Sequence, residues 1–497
     1  MSLLPPHLRD VHEEMKAHAK GFGLDFFETI FEVLTYDEIN MVAAYGGFPS
    51  RYPHWKFGME YERLSKSYSY GLSRIYEMVI NNDPCYAYLL ESNEDVDQKM
   101  VMAHVFAHCD FFKNNFCFQH TNRKMMDEMA NHATRIRKYH DRYGIETVEA
   151  FIDRVLSIDN LIDIHSPYIV RKRPKLDEDT PSLAGPQVKE LPTDKEYMRN
   201  FINPREYMDA QRAKLEAERK KPKRFPEHPE RDVMLFLMEH APLERWQRDV
   251  IDMLREEAYY FAPQGMTKIM NEGWATYWHA KIMAEKACKP EELIDFADHH
   301  SAVVSLSGQS LNPYKMGLEL YRNIEERWDK GRFGKEYDEC DDIAERRRWD
   351  KQLGLGRQKI FEVRKHYSDV TFIDEFLTLD FVRENKLFSF GYNKKRARFE
   401  ITSREFKEVK DKLLTQLTNF GQPVIAVLDA NHDNRGELLL RHRHDGVDLD
   451  PEYTKATLQN LQAIWNRPVH VLTKTENKGV MYGFDGKDFL ERSAEYQ

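Results

Sequence analysis

The sequence is poor in cysteine and contains no long apolar run. Its 497 residues include five cysteines, an odd number with no C-x-x-C pair, which argues against a disulfide framework or a structural zinc knuckle and favours a reducing compartment. No apolar run approaches the roughly 18 residues of a membrane helix. The N-terminal MSLLPPHLRDVHEEMK also lacks the apolar segment of a secretory signal. We therefore expect a cytoplasmic protein with no membrane span.

The motifs of several common enzyme classes are absent as well. The chain has no G-x-x-x-x-G-K-[ST] loop for nucleotide phosphates and no G-x-S-x-G nucleophile elbow. Its 73 basic and 83 acidic residues give a net charge of −10, whereas nucleic-acid binding requires a basic field. The basic runs at 171–173 and 220–224 are interpreted as solvated charge. We expect no nucleic-acid partner.

Four stretches of different character follow one another along the chain. They are a helical part at 1–170, a charged, proline-rich linker or excursion at 171–232, a second helical part at 233–380 and an α+β domain at 383–497. The helical parts show apolar residues at a period of 3.6, as in LERWQRDVIDMLREEAYYF, and the last stretch contains short β-rich runs such as PVIAVLDA. The pattern predicts a mainly α-helical body with a smaller C-terminal α+β domain.

The C-terminal stretch contains an internal repeat. FGQPV at 420–424 matches WNRPV at 465–469 at an offset of 45, and each copy follows a predicted helix. One interpretation is a domain built from two similar halves. The other is the coincidence of two ordinary helix–strand connections.

An H-x-x-x-H pair lies on the predicted helix around MVMAHVFAHCDFF. His104 and His108 are one turn apart and therefore point to the same side, where two imidazoles can chelate one metal ion. With twenty histidines in the chain, about one such pair is expected by chance. The alternative interpretation is two hydrogen-bonded histidines of the core.

A second candidate helix carries MNEGWATYWH. Glu272 and His279 share one face with apolar residues, and a carboxylate in such a position is costly unless it is paired or ligated. The alternatives are a salt bridge to a buried arginine and an exposed face. His299 and His300 follow, and because neighbours on a helix point about 100° apart, at most one of them can join a site.

Four long motifs resemble the stage V sporulation protein R (SpoVR) family. They are GGFPSRYPHWKFGMEYE, AHVFAHCDFFKNN with FQHTNRKM, MNEGWATYWH, and LTNFGQPVIAVLDANHDNRGELLLRHRHDGVDLD. The resemblance implies a role in spore cortex formation or, in bacteria that form no spores, in stress and the stationary phase, where the family occurs with a serine protein kinase of the PrkA type. It implies no established biochemical activity.

The H-x-x-x-H pair followed by E-G-W-A is also similar to gluzincin-like metallopeptidases. That similarity implies a zincin-like body in which His104, His108 and Glu272 bind zinc. The catalytic glutamate of the gluzincin pattern is replaced by Val105, which cannot accept a proton. The substitutes considered for this catalytic role are Glu60, Asp110 and His279. Two functions stay open: a metal-binding regulatory protein, and a zinc-dependent hydrolase of peptide, amide or peptidoglycan-related bonds.

Overall fold

The computed structural model divides the chain into two compact units. It describes residues 4–69, 77–169, 204–211, 224–305, 311–393, 396 and 398–496. Unit 1 combines Met1–Asn160 with Glu244–Gln422, and unit 2 combines Leu161–Leu243 with Pro423–Gln497. Most of the linker predicted at 171–232 lies outside the described residues. The four-stretch division of the sequence stays a prediction.

Helices form most of unit 1, as the 3.6-residue period predicts. The named helices of both units, in chain order, are α1 (Pro6–Gly21), α2 (Tyr36–Ala44), α3 (Trp55–Ser69), α4 (Asp95–Asn114), α5 (Met125–Tyr143), α6 (Ile145–Leu156), α7 (Val233–His240), α8 (Arg245–Met266), α9 (Lys268–Ile282), α10 (Leu293–Val304), α11 (Pro313–Asp329), α12 (Lys335–Asp338), α13 (Ile343–Arg348), α14 (Gly356–His366), α15 (Asp369–Phe376), α16 (Leu379–Glu384), α17 (Phe406–Leu417) and α18 (Pro451–Trp465).

In the described part of the chain the strands form three sheets. They are β1 (Thr29–Leu34), β2 (Glu77–Ile80), β3 (Cys85–Leu90), β4 (Ser389–Asn393), β5 (Arg398–Ser403), β6 (Val424–His432), β7 (Glu437–Arg443), β8 (Val469–Thr475), β9 (Lys478–Phe484) and β10 (Phe489–Ser493). Unit 1 contains a three-stranded sheet of order β1-β3-β2 and the β4-β5 hairpin, and unit 2 contains a five-stranded sheet of order β10-β9-β8-β7-β6. Strands β1 and β3 are parallel, as are β7 and β8.

The predicted combination of a mainly helical body and a C-terminal sheet domain is confirmed. In unit 2 the hairpins β6-β7 and β8-β9 lie on either side of α18 in the sequence and meet through the parallel pair β7-β8. The origin of this domain in two similar halves and the zincin-like character of the body stay predictions. Within the described residues, no helix is both long and apolar enough to cross a membrane.

Helix α4 lies at the centre of the core of unit 1. Every residue over 96–112 is buried, whichever side of the helix it occupies, so the helix is enclosed all round. It packs against α9 and α1. Because polar groups at such depth are costly without partners, each histidine and carboxylate of α4 must be matched by a neighbouring element.

Helix α9 is held close to α11 by two glycines. A Cβ atom on Gly273 would lie 2.3 Å from the Cα of Gly317, and one on Gly317 would lie 2.2 Å from the carbonyl oxygen of Ile269. The two backbones therefore touch at this crossing. The first turn of α9 is capped by Asp369, whose carboxylate accepts hydrogen bonds from Ile269 N and Met270 N at 2.8 and 2.9 Å. Burial raises the pKa of Asp369 to about 7, although these two hydrogen bonds oppose the shift.

Candidate metal centre

Helices α4 and α9 bring together two histidines and a glutamate that are far apart in sequence. The Nε2 atoms of His104 and His108 lie 3.7 and 3.5 Å from Glu272 Oε2. One ligand atom from each of the three residues falls within 4.8 Å of the other two. Both imidazoles are buried, and the Glu272 side chain is 18% exposed, so the cluster lies at the edge of the core.

The far side of each imidazole is hydrogen-bonded. His108 Nδ1 donates to Asn271 Oδ1 over 2.9 Å, which leaves its Nε2 as the nitrogen that carries a lone pair. His104 Nδ1 lies 2.7 Å from His279 Nδ1. Hydrogen bonds of this type orient histidines that bind metals, because they fix both the tautomer and the plane of the ring.

His279 continues this contact towards helix α10. Its Nε2 lies 3.0 Å from His300 Nδ1, so three imidazoles form a hydrogen-bonded chain that begins at His104. If each imidazole donates to the next one, from His104 to His279 to His300, then the hydrogen of His104 is on Nδ1. The lone pair of His104 is then on Nε2. His299 turns away and contacts Asp97 instead, as the 100° step between helical neighbours predicts.

The distances from the two imidazole Nε2 atoms to Glu272 Oε2 fit a tetrahedral metal ion. Zinc bonds of about 2.0–2.2 Å place neighbouring ligand atoms about 3.3–3.6 Å apart, close to the 3.5 and 3.7 Å measured to Glu272 Oε2. That oxygen is buried and, within the described part of the chain, accepts no hydrogen bond. This carboxylate oxygen lies beside two imidazole nitrogens and lacks a hydrogen-bond partner. A divalent cation bound there would compensate for its burial.

Glu60 lies on α3 and is engaged elsewhere. Its carboxylate accepts two hydrogen bonds from Arg63, one from Nε over 2.9 Å and one from Nη2 over 2.5 Å. The hydrogen bond from Arg63 lowers the pKa of Glu60, and 39% of the Glu60 side chain is exposed. These contacts do not join Glu60 to the histidine–glutamate cluster, and its predicted role as a base stays a prediction.

Asp110 is on α4 but points away from His104 and His108. Its carboxylate accepts two contacts of 2.6 Å from Arg364 on α14 and one of 2.8 Å from Trp274 Nε1. The backbone N–H of Asp25 and Asn114 Nδ2 also donate to this carboxylate, over 2.7 and 3.5 Å. This is the environment of a buried ion pair that ties helices together.

Two residues near the cluster were not singled out by sequence reasoning. Asn271 directly precedes Glu272 and contacts His108. The signal for this contact in the sequence was a polar residue within a largely apolar helix. Tyr314 on α11 has its ring centroid 6.2 Å from that of His104, and no motif in the sequence indicates this contact. Val105, at the position of the gluzincin glutamate, is fully buried.

Comparison with known proteins assigns most of the chain to one family. The family profile described as "SpoVR like protein" matches residues 4–422, and that described as "SpoVR-like C-terminal domain" matches 423–476. An uncharacterized protein of Escherichia coli (strain K12), YcgB, is 29% identical over 506 residues, which cover 95% of this chain and 93% of YcgB. No solved structure is significantly similar. The chain therefore belongs to the SpoVR family.

Proposed function

We propose that the chain is a zinc-binding regulatory protein, with the metal ion held by His104 Nε2, His108 Nε2 and Glu272 Oε2. The observation that carries the proposal is the distance of 3.5 and 3.7 Å between the two imidazole nitrogens and the carboxylate oxygen, which suits a tetrahedral ion. The pairing of α4 with α9 would then be zincin-like. The buried contacts to Asn271 and His279 support the same ligand set.

A regulatory role is favoured over conventional peptide hydrolysis by the position of Val105. Peptidases of the gluzincin pattern need a carboxylate there to take a proton from water. The two acidic substitutes that the sequence offers are engaged in ion pairs, Glu60 with Arg63 and Asp110 with Arg364. The site is therefore better equipped to bind a metal ion, and a ligand of that ion, than to activate water.

The metal content of the purified chain tests the ligand set. Protein prepared without chelators should contain about one zinc ion per chain by elemental analysis. His104→Ala and His108→Ala should each remove the metal, whereas the control His366→Ala changes an exposed histidine of α14 and should retain it. A wild-type chain without stoichiometric metal would overturn the proposal in favour of hydrogen-bonded core histidines.

A zinc-dependent hydrolase is the second candidate, and one observation favours it. His279 contacts His104 through Nδ1 rather than joining the ligand cluster, so three protein ligands would leave the fourth position of the metal open to water or substrate. Zinc bound there would supply Lewis-acid polarisation of a carbonyl group. The wild type and Glu272→Gln should be compared on peptide, amide and peptidoglycan-fragment substrates. Activity that requires Glu272 would favour this candidate over the regulatory one.

The biological setting is proposed from family membership. We infer a cytoplasmic role in spore cortex formation or in the stress and stationary-phase response, together with a PrkA-type serine protein kinase. Replacing the chromosomal gene by the His104→Ala variant tests whether the metal site serves that role. The variant should reproduce the phenotype of the deletion, and the His366→Ala control should behave as the wild type. A His104→Ala strain with wild-type behaviour would show that the role does not need the metal.

A further inference from the structure

A second cluster of histidine and glutamate lies between helices α5 and α8 of unit 1. Glu128 and His132 are one turn apart on α5, and Glu256 faces them from α8. One ligand atom from each of the three residues lies within 4.8 Å of the others. This repeats, with other residues, the arrangement of α4 and α9, in which two ligands at i and i+4 meet a glutamate on a second helix.

His132 is oriented as histidines that bind metals are. Its side chain is 1% exposed, and its Nδ1 lies 3.2 Å from Glu257 Oε1. Glu257 is in turn fixed by an ion pair with Arg51, which lies in the segment between α2 and α3. A carboxylate on Nδ1 sets the ring plane and directs Nε2 towards the cluster. That Nε2 is buried and has no hydrogen bond within the described part of the chain.

Glu256 is positioned so that one oxygen faces this nitrogen. Asn122 Nδ2 donates to Glu256 Oε1 over 3.0 Å, and Glu256 Oε2 lies 3.4 Å from His132 Nε2. The latter distance is again close to the spacing of two ligands on one metal ion, about 3.3–3.6 Å for tetrahedral zinc. Glu128 and Glu256 are only half-buried, so water can complete the coordination.

The two arginines nearest to the cluster are each paired with a carboxylate outside it. Arg51 neutralises Glu257, and Arg135, one turn beyond His132 on α5, pairs with Asp249. Two carboxylates remain at the cluster, and one divalent cation would balance them. A proton on His132 would compete with this cation for the imidazole nitrogen. Burial alone would lower the pKa of His132, but the neighbouring carboxylates outweigh it and raise the pKa to about 8.

We propose that Glu128, His132 and Glu256 form a second metal site, which binds a divalent cation of the Mn²⁺ class and clamps α5 to α8. Two carboxylates and a single imidazole are a harder ligand set than the two imidazoles and one carboxylate of the α4–α9 site. Carboxylate and water ligands suit Mn²⁺, whereas sites rich in imidazole favour Zn²⁺. The two sites should therefore differ in metal preference.

The test uses the full chain with the α4–α9 site disabled by His108→Ala. Mn²⁺ is added to the metal-free protein, and the loss of the electron paramagnetic resonance signal of free Mn²⁺ measures binding. We expect about one bound ion per chain. Adding Glu128→Gln or His132→Gln should weaken binding at least tenfold, because either change removes a direct ligand. His140→Gln, two turns further along α5, is the matched control and should bind as the background does.

Circular dichroism of each variant identifies any failure to fold. Glu128→Gln changes a half-buried side chain and so tests the site even if the buried His132→Gln variant is unstable. The proposal is overturned if the His108→Ala chain binds no Mn²⁺ at millimolar concentration, or if folded Glu128→Gln binds it as tightly as the control. Neither result depends on whether the α4–α9 site binds zinc.

Discussion

Replacing Gly273 by alanine should damage the proposed α4–α9 metal site more than it damages stability. The added Cβ would lie 2.3 Å from Gly317 Cα, whereas ordinary contacts begin at 3.4 Å. The backbones of α9 and α11 must therefore separate by about 1.1 Å, the difference between these two distances. Glu272 is the adjacent residue, and metal ligands tolerate displacements of only about 0.2 Å. We expect zinc affinity to fall at least tenfold.

The effect of this substitution on stability is the sum of two opposing terms. Crowding at a tight contact costs about 1–3 kcal/mol, and the better helix propensity of alanine returns about 0.5–1 kcal/mol. The net loss in the free energy of unfolding is thus roughly 0–2.5 kcal/mol, small enough for the variant to fold. Zinc affinity is measured by competition with a chromophoric chelator, and stability by urea unfolding.

Gly58→Ala is the matched control for Gly273→Ala. Gly58 is also a helical glycine, but a Cβ there meets no atom within 4 Å. The control should therefore be unchanged or slightly more stable, with unaltered zinc binding. If Gly273→Ala binds zinc as tightly as Gly58→Ala, then the close crossing does not position Glu272, and the reasoning from backbone contact is refuted.

Three further perturbations probe the surroundings of the site and unit 2. Arg364→Met should lower the free energy of unfolding by about 3–5 kcal/mol, because it leaves the buried Asp110 carboxylate without its ion pair; a loss under about 1 kcal/mol in urea unfolding would contradict this. Asn271→Ala should weaken zinc binding about 10–100-fold by releasing His108, as measured by chelator competition. Burial lowers the pKa of His442 to about 4, so the unfolded state protonates first and stability should fall as the pH drops from about 6.5 towards 4. The urea midpoint should decline less over this range in His442→Gln.

The sequence predicts the local elements of the fold well and their assembly poorly. Apolar periodicity is sufficient to place α4 and α9, because it is a property of consecutive residues. The joining of 161–243 with 423–497 in unit 2 depends on contacts between distant segments, which no local pattern records. The complete enclosure of α4 has the same origin, since its buried residues Asp97 and Lys99 pair with His299 and Glu292, which are distant in sequence.

In the candidate site, too, local spacing was predicted from the sequence, whereas contacts between distant residues were not. Spacing alone left His104 and His108 as either metal ligands or core histidines, and the similarity to gluzincin-like metallopeptidases was needed to connect them with Glu272. The structure brings these three together and adds His279 through a hydrogen bond. It places Glu60 in a surface ion pair with Arg63, a contact at i and i+3 that its sequence neighbourhood allows.

The four residues N-E-G-W of α9 have separate tasks in docking this helix on its neighbours. Asn271 holds a histidine of α4, Glu272 faces the imidazoles, Gly273 admits the backbone of α11, and Trp274 donates to Asp110. Consecutive helical residues point about 100° apart, so these four residues can contact different partners. The motif therefore determines the position of α9 as well as the residues that α9 contributes to the site. A change at any of the four should disturb the proposed metal binding, even where no proposed ligand is altered.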